Sequence, residues 1–150
     1  MRVTIQRVSE ASVLINQTLK SHIKQGLVIF LGISTNDTKD DFDWLSNKII
    51  NLRIFSDQQG KMNKSLLEIK GDILLVSQFT LFASTKKGNR PSYSRSAKPE
   101  IARSLYEDFH KCIEQLLGKK VFTGVFGADM KVIIFNDGPV TINIDSKYRE

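Results

Sequence analysis

Two segments of the chain carry polar groups that are placed to do chemistry, and the first of them follows an apolar run. Ile73–Val76 is entirely apolar and leads directly into Ser77, Gln78, Phe79 and Thr80. Hydroxyl and amide groups at the end of a buried strand must find partners or cost about 1–3 kcal/mol each. A strand end is also where a rigid scaffold presents polar groups to a ligand. A ligand site and a strand that emerges into solvent are both consistent with this segment.

The second segment is Asn136–Thr141, which contains Gly138 and Pro139. Asn-Asp-Gly-Pro is strong turn chemistry, because Gly accepts positive φ and Pro fixes its own φ. The simplest interpretation is a loop between two strands. A bond to proline is cis in roughly 5% of cases, and a cis bond here would turn the adjacent carbonyls to one side as a rigid main-chain clamp.

Other reactive side chains are weak candidates for a site. The chain contains no nucleophile elbow, no phosphate-binding glycine loop and no zinc-protease motif. His22 and His110 lie in polar or helical surroundings, and Cys112 lies on an apolar helical stripe as a small core residue would. Asp40 and Asp41 fall at a predicted helix start, where the helix dipole favours anions. We therefore expect no disulfide, no metal and no cofactor.

The positive charge is concentrated in one stretch. The chain has 22 Lys and Arg against 16 Asp and Glu, a net charge of +6. Six of the cations fall close together, with only Glu100 as an acidic neighbour; they are Lys86, Lys87, Arg90, Arg95, Lys98 and Arg103. Such a cluster suits a phosphate backbone, and a merely solvated loop explains it equally well.

The periodicity of the chain predicts one domain over residues 1–150 of mixed α/β class, with mostly antiparallel sheet layers and two main helices packed on one side. Strands are predicted at about 1–8, 11–19, 26–33, 71–82, 121–126, 130–136 and 140–145. One helix begins after Thr38, and a second begins at Pro99, ends at Gly118 and has a buried stripe; the stripe comprises Ile101, Leu105, Phe109, Cys112 and Leu116. We see neither a signal peptide nor a membrane span, and we expect a cytoplasmic protein.

The two polar segments, taken together, carry a specific resemblance. The motifs Ser77–Leu81 and Asn136–Thr141 occur in this order with Gln6–Val8, Gly88–Ser92 and Phe126–Met130. With these motifs the chain resembles the D-aminoacyl-tRNA deacylases of bacteria and eukaryotes along its whole length. The resemblance implies hydrolysis of the ester that joins a D-amino acid, or mischarged glycine, to the terminal ribose of tRNA.

The resemblance also implies a homodimer with its two sites at the interface. A cis Gly138–Pro139 peptide would reach into the partner's pocket and leave no room for an L side chain. Arg7 would fix the orientation of that segment, although its alternating strand fits a charge facing solvent equally well. Phe126 and Met130 would join the substrate-binding residues, and the basic segment with Lys86, Lys87, Arg90 and Arg95 would contact tRNA.

For the chemistry, the resemblance implies that Ser77–Thr80 lines the pocket, with Gln78 and the main chain of Phe79 facing the substrate. Water would attack with help from the 2′-hydroxyl of the tRNA, while backbone N–H groups steady the oxyanion. Two alternatives stay open. One is an esterase with Thr80 as nucleophile, and the other is a non-catalytic RNA-binding module that stacks bases on Phe79 or Tyr93.

Overall fold

A computed structural model describes residues 1–149 of the chain, so residue 150 lies outside the described part. Its elements form one curled sheet, a small hairpin and three helices, as the mixed α/β prediction expects. The elements are β1 (Arg2–Ile15), β2 (Thr18–Ile23), β3 (Gly26–Gly32), α1 (Lys39–Asn51), β4 (Phe55–Ser56), β5 (Met62–Lys64), α2 (Leu66–Ile69), β6 (Asp72–Ser77), a 3₁₀ turn (Phe79–Phe82), α3 (Pro99–Leu117), β7 (Phe122–Thr123) and β8 (Lys131–Asp145).

The large sheet curls into a near-barrel around β1. The strand order is β2-β1-β3-β6-β7, and β8 pairs antiparallel with β1 along nearly its whole length. Within residues 1–149, only β3–β6 and β6–β7 are parallel pairs. The Ser21 hydroxyl of β2 donates to the carbonyl of Thr123 in β7 at 2.6 Å, which joins the two ends of the sheet. Curvature therefore gives the sheet a small interior core in addition to the core under the helices.

Alternation along the strands divides the apolar residues between these two cores. Leu27 and Ile29 of β3 face the helices, where they meet the buried faces of α1 and α3. Val28 of β3 and Val76 of β6 point to the other side and pack inside the near-barrel with Val13. A strand that is buried on both faces reads as a continuous apolar run, which is why β3 and β6 are so apolar.

Both long helices begin where the sequence predicts, and α3 also ends at the predicted residue. Thr38 precedes α1, and its N–H donates to the Asp41 carboxylate at 2.8 Å. Pro99 is the first residue of α3, and Gly118 ends this helix with a left-handed φ of 68°. The predicted stripe of α3 is partly wrong, because Ile101 is 52% exposed. The residues that α3 buries lie about one position further along; they are Tyr106, Phe109, Ile113 and Leu117.

Several predicted strand boundaries are also wrong. The strand expected at 11–19 breaks at residues 16–17 into β1 and β2, and the strand expected at 121–126 is only Phe122–Thr123. Residues 2–8 and 11–15 belong to the single strand β1, and residues 131–145 form the single strand β8 instead of two strands and a loop. Thr141 pairs with Gln6 and Asn136 pairs with Val8, so the residues between them, 137–140, have no partner in β1 and form a long bulge that interrupts the pairing within β8. The predicted strand 71–82 ends at Ser77 and continues as the 3₁₀ turn.

The Asp41 carboxylate ties the start of α1 to the chain after β8. It accepts hydrogen bonds from the Ser146 hydroxyl at 2.8 Å and the Lys147 ammonium at 2.6 Å. Burial alone raises the pKa of the Asp41 carboxyl, but the hydrogen bonds outweigh burial and hold this pKa well below its usual range. No helix within residues 1–149 is long and apolar enough to cross a membrane.

Candidate active site

A pocket of about 580 Å³ opens at the end of β6. Its lining combines the polar residues after β6 with the loop between β7 and β8 and the start of α3. The lining residues are Leu31, Ile33, Val76, Ser77, Gln78, Phe79, Tyr93, Ser96, Ala97, Pro99, Ala102, Phe126, Gly127, Ala128, Asp129, Met130 and Val132. A cleft of about 840 Å³ lies around Trp44, Lys48 and Tyr148, but it contains none of the residues that the sequence predicts for the site.

The floor of the pocket is the end of β6, held by its neighbour β3. The backbone N–H of Gln78 donates to the carbonyl of Leu31 at 2.7 Å, and the 3₁₀ turn begins at the next residue. Ser77, Gln78 and Phe79 line the pocket, whereas Thr80 does not. The Gln78 amide donates to the Thr80 hydroxyl. Among residues 1–149 no carboxylate or imidazole hydrogen-bonds this hydroxyl, so the site lacks the paired base that a threonine nucleophile needs.

The opposite wall is the loop that carries Phe126 and Met130, and α3 supports it from behind. The buried Tyr106 hydroxyl donates to the Leu75 carbonyl at 3.0 Å, two residues before Ser77. Its ring lies 5.7 Å from the ring of Phe126. Burial raises the pKa of the Tyr106 phenol well above its ordinary value, so the hydroxyl stays protonated and remains a donor. One helix residue therefore supports both walls of the pocket.

Met130 depends on a glycine for its position. A Cβ on Gly124 would lie 2.3 Å from the Met130 sulfur and 3.8 Å from a methyl group of Val13. The Gly124 N–H donates to the Leu75 carbonyl at 3.3 Å, which keeps the loop against β6. The Met130 sulfur thus occupies the space that a side chain at position 124 would need.

The Gly138–Pro139 segment lies elsewhere on the surface of the chain. Its peptide bond is cis, and both residues are exposed and absent from the lining of the pocket. Arg7, only 9% exposed, supports the segment from below. Its guanidinium donates to the carbonyls of Asp137 at 3.2 Å and Ile54 at 2.6 Å. The interpretation of Arg7 as a solvent-facing charge is therefore wrong, because β1 is a central strand with partners on both sides.

The basic residues predicted to contact RNA lie on and beside an exposed loop next to the pocket. Ser84 and Ser92 close the loop with two backbone hydrogen bonds of 2.8 and 2.9 Å. Within residues 1–149, no carboxylate lies within 4.0 Å of any of the four cations, which are Lys86, Lys87, Arg90 and Arg95. Their charge is therefore available to an anionic partner.

Sequence reasoning missed several residues of the pocket. Ser96 and Asp129 line it, and so does Tyr93, which the sequence named only as a stacking residue of the RNA-binding alternative. Asp129 is the one carboxylate among the described lining residues. Asp129 lies within the motif Phe126–Met130, but no feature of that motif indicated that its carboxylate belongs to the site. The two histidines lie outside the pocket, hydrogen-bonded to Glu10 and to the Val121 carbonyl. No group of three metal-ligating side chains occurs in the described part of the chain.

The fold and the site together define an α/β protein with a pocket at a strand end and unpaired cations in a neighbouring loop. The family model described as D-Tyr-tRNA(Tyr) deacylase matches residues 4–145. The chain belongs to this family.

Relatives along the whole chain agree with this assignment. A protein of Bacteroides fragilis (strain YCH46) named D-aminoacyl-tRNA deacylase is 61% identical over 150 residues, which is 100% of both chains. A protein of Flavobacterium johnsoniae with the same name is 57% identical over 150 residues, again 100% of both.

Solved structures share the fold. A structure titled c-Myc DNA Unwinding Element Binding Protein superposes with a TM-score of 0.93 at 39% identity, covering 97% of this chain and 98% of the other. A probable eukaryotic D-amino acid tRNA deacylase superposes with a TM-score of 0.79 at 17% identity, covering 95% and 98%. The second likeness concerns the fold alone.

Proposed function

We propose that this protein hydrolyses the ester bond of D-aminoacyl-tRNA and releases free tRNA and the free D-amino acid. The observation that carries the proposal is the pocket at the end of β6, in which Ser77, Gln78 and Phe79 of one family motif meet Phe126 and Met130 of another. Full-length relatives named D-aminoacyl-tRNA deacylase support the same activity. In this proposal the pocket holds the terminal adenosine and the ester.

The selection of D amino acids is assigned to the Gly138–Pro139 corner of a second copy of the chain. This corner is exposed and does not line the pocket of its own chain, so a clamp made from it would have to act on another subunit. The outward side of β8 also exposes Ile133 (47%) and Phe135 (57%), which suits a contact between copies of the chain. We therefore propose a homodimer with its sites at the interface.

A main-chain clamp accounts for selectivity by handedness with little regard to amino-acid identity. Rigid backbone close to the substrate Cα would leave no room for an L side chain, which is exclusion by clash. Glycine has no side chain and would pass the same filter, so glycyl-tRNA is included among the proposed substrates. Arg7 supports this role as a positioning residue, because its side chain is buried and hydrogen-bonded directly below the corner.

The proposed chemistry relies on RNA and backbone groups. Asp129 is the one carboxylate of the pocket lining, and Thr80 has neither a base nor a place in that lining. We therefore assign the attack to water, assisted by the 2′-hydroxyl of the terminal ribose. The first N–H groups of the 3₁₀ turn have no intrahelical acceptor, and we assign the N–H of Phe79 to stabilising the oxyanion.

The basic loop is assigned to the phosphates of tRNA. Its unpaired cations lie directly after the 3₁₀ turn along the chain. Because phosphate binding releases counterions, the KM for D-aminoacyl-tRNA should rise with added salt. A KM that does not respond to salt would contradict this assignment. A tRNA substrate also agrees with the cytoplasmic setting expected from the sequence, which stays a prediction.

The decisive experiment offers D-tyrosyl-tRNA and L-tyrosyl-tRNA to the purified protein and measures the tyrosine released. We expect rapid release from the D ester alone. Equal cleavage of both esters would refute the chiral filter. Binding of tRNA without release of tyrosine would refute the enzyme and favour the RNA-binding module. Sedimentation of the wild type and of Phe135→Lys tests the dimer, which we expect the substitution to dissociate.

A further inference from the structure

Two aromatic side chains stand exposed at the mouth of the pocket, and the proposed chemistry uses neither ring. Phe79 is 58% exposed and Tyr93 is 37% exposed, and both line the pocket. Their ring centroids lie 5.0 Å apart with the planes at 71°. Large aromatic rings that are exposed side by side beside a pocket mark a surface that binds something.

Hydrogen bonds from Ser96 hold the backbone of both aromatic residues. The Ser96 hydroxyl donates to the Phe79 carbonyl at 2.9 Å, and the Ser96 N–H donates to the Tyr93 carbonyl at 2.9 Å. Tyr93 also follows Ser92 directly, and Ser92 is one of the residues that close the basic loop. The two rings are thus held together at the base of the loop, between the pocket and the unpaired cations.

We infer that Tyr93, braced by its edge-to-face contact with Phe79, is a stacking platform for the unpaired base next to the nucleotide held in the pocket, so that the site takes up at least two nucleotides of a single-stranded RNA 3′ end. The inference rests on the proposed function, because that function places the terminal nucleotide in the pocket. Aromatic faces bind any base by stacking, and cations beside them follow the sugar-phosphate backbone. Both features occur here, because the rings line the pocket and the cations lie in the loop that Ser92 closes directly before Tyr93.

The charges favour RNA over a protein partner. Lys86, Lys87 and Arg90 lie in the loop that ends at the platform, and Arg95 follows Tyr93 by two residues. None of these side chains is paired with a carboxylate in the described part of the chain. The regularly spaced phosphates of an RNA strand can each pair with one of these cations. The base of the same strand then remains free to stack on the platform.

The test measures the binding of an unacylated RNA hairpin with a single-stranded C-C-A 3′ end and a fluorescent label at its 5′ end. A second hairpin lacks only the base of the penultimate nucleotide. Both are titrated by fluorescence anisotropy with wild type, Tyr93→Ala and Tyr93→Phe. Tyr148→Ala is the matched control, because Tyr148 is 77% exposed and lies outside the pocket.

We expect Tyr93→Ala to weaken binding of the intact hairpin about tenfold, the lower end of what one stacked base contributes. Tyr93→Phe and Tyr148→Ala should stay within about twofold of wild type. Removal of the base should weaken wild type by a similar factor and should cost Tyr93→Ala nothing further, because the variant has already lost the contact.

The inference would be overturned if the affinity losses from Tyr93→Ala and from removal of the base multiplied when the variant binds the hairpin that lacks the base. It would also be overturned if removal of the base left the affinity of wild type unchanged. A change in sedimentation coefficient on Tyr93→Ala would assign the rings to a contact between subunits and overturn it as well. Because the hairpins are unacylated, the result is independent of turnover. A wild type that binds them as expected but leaves D-tyrosyl-tRNA intact would refute the proposed function and retain the platform.

Discussion

Replacement of Gly124 by alanine should narrow the candidate active site without touching any polar group in it. The new Cβ would lie 2.3 Å from the Met130 sulfur, whereas carbon and sulfur need about 4 Å. The sulfur must therefore retreat by about 1.5 Å. Met130 packs on one side against the buried cluster that contains Val13, and on the other side it lines the pocket, so we expect the thioether to move into the pocket. Alanine fits the backbone, because φ of Gly124 is not positive.

The expected kinetic effect is a rise in KM for D-tyrosyl-tRNA of about fivefold with kcat within about twofold, since less space for the substrate weakens its binding by about 1 kcal/mol. The double variant Gly124→Ala/Met130→Ala should behave as Met130→Ala alone, because the clash is then gone. Gly71→Ala is the matched control. Its Cβ would press on a Leu66 methyl group at 2.6 Å, away from the pocket, so its thermal midpoint should fall while KM stays unchanged.

A second measurement follows the side chain itself. The chain has three methionines, so ¹³C-methyl labelling yields three resonances, and Met130→Ala identifies that of Met130. Gly124→Ala should shift this resonance and leave those of Met1 and Met62 in place. An unmoved Met130 resonance, or a rise in KM that persists at full size on the Met130→Ala background, would refute the argument.

Three further predictions concern the chemistry and the frame. Asp129→Asn should retain at least about a third of kcat, whereas loss of a general base costs about 10²–10⁴-fold; a loss of that size would make Asp129 the base. Thr80→Val should likewise retain most turnover, while replacement of the terminal 2′-hydroxyl of the substrate by hydrogen should abolish it, and the reverse pattern in single-turnover assays would restore the threonine nucleophile. Asp41→Asn should lower the free energy of unfolding by about 2 kcal/mol at pH 7. Folding lowers the pKa of Asp41, so the ionised carboxylate stabilises the folded state fully above about pH 4, the unfolded value, and this stabilisation is lost as the pH falls further. The free energies of unfolding of wild type and variant, measured by urea titration, should therefore converge in acid. A difference that stays constant with pH would contradict the assignment.

Local signals in the sequence were sufficient for the helices and for the apolar strands. Thr38, Pro99 and Gly118 mark helix ends through their own backbone preferences, and the structure places the boundaries there. The run Ile73–Val76 is buried as predicted. Such features depend on residues a few positions apart, so periodicity and capping chemistry describe them well.

The extent of the long strands β1 and β8 could not be predicted from local signals in the sequence. Asn136–Thr141 has the composition of a loop, yet it continues β8, because β1 offers backbone partners on both sides of the segment and a bulge absorbs the mismatch. The same applies to Arg7, whose alternating strand was consistent with a solvent-facing charge. Its burial depends on the carbonyls of Ile54 and Asp137, both remote in sequence.

The candidate site, too, was predictable in part from the sequence and in part only from the structure. The sequence by itself determined which segments carry the polar groups, because the abrupt change after Val76 and the Asn-Asp-Gly-Pro turn are local, and it determined the family through the order of its motifs. Only the tertiary structure decided that Ser77–Phe79 meets Phe126 and Met130, that Thr80 stays outside the pocket, and that Gly138–Pro139 lies away from the pocket of its own chain. The physical reason is that a pocket is made from surfaces of distant segments, and their meeting depends on how β6, β7 and α3 pack against one another.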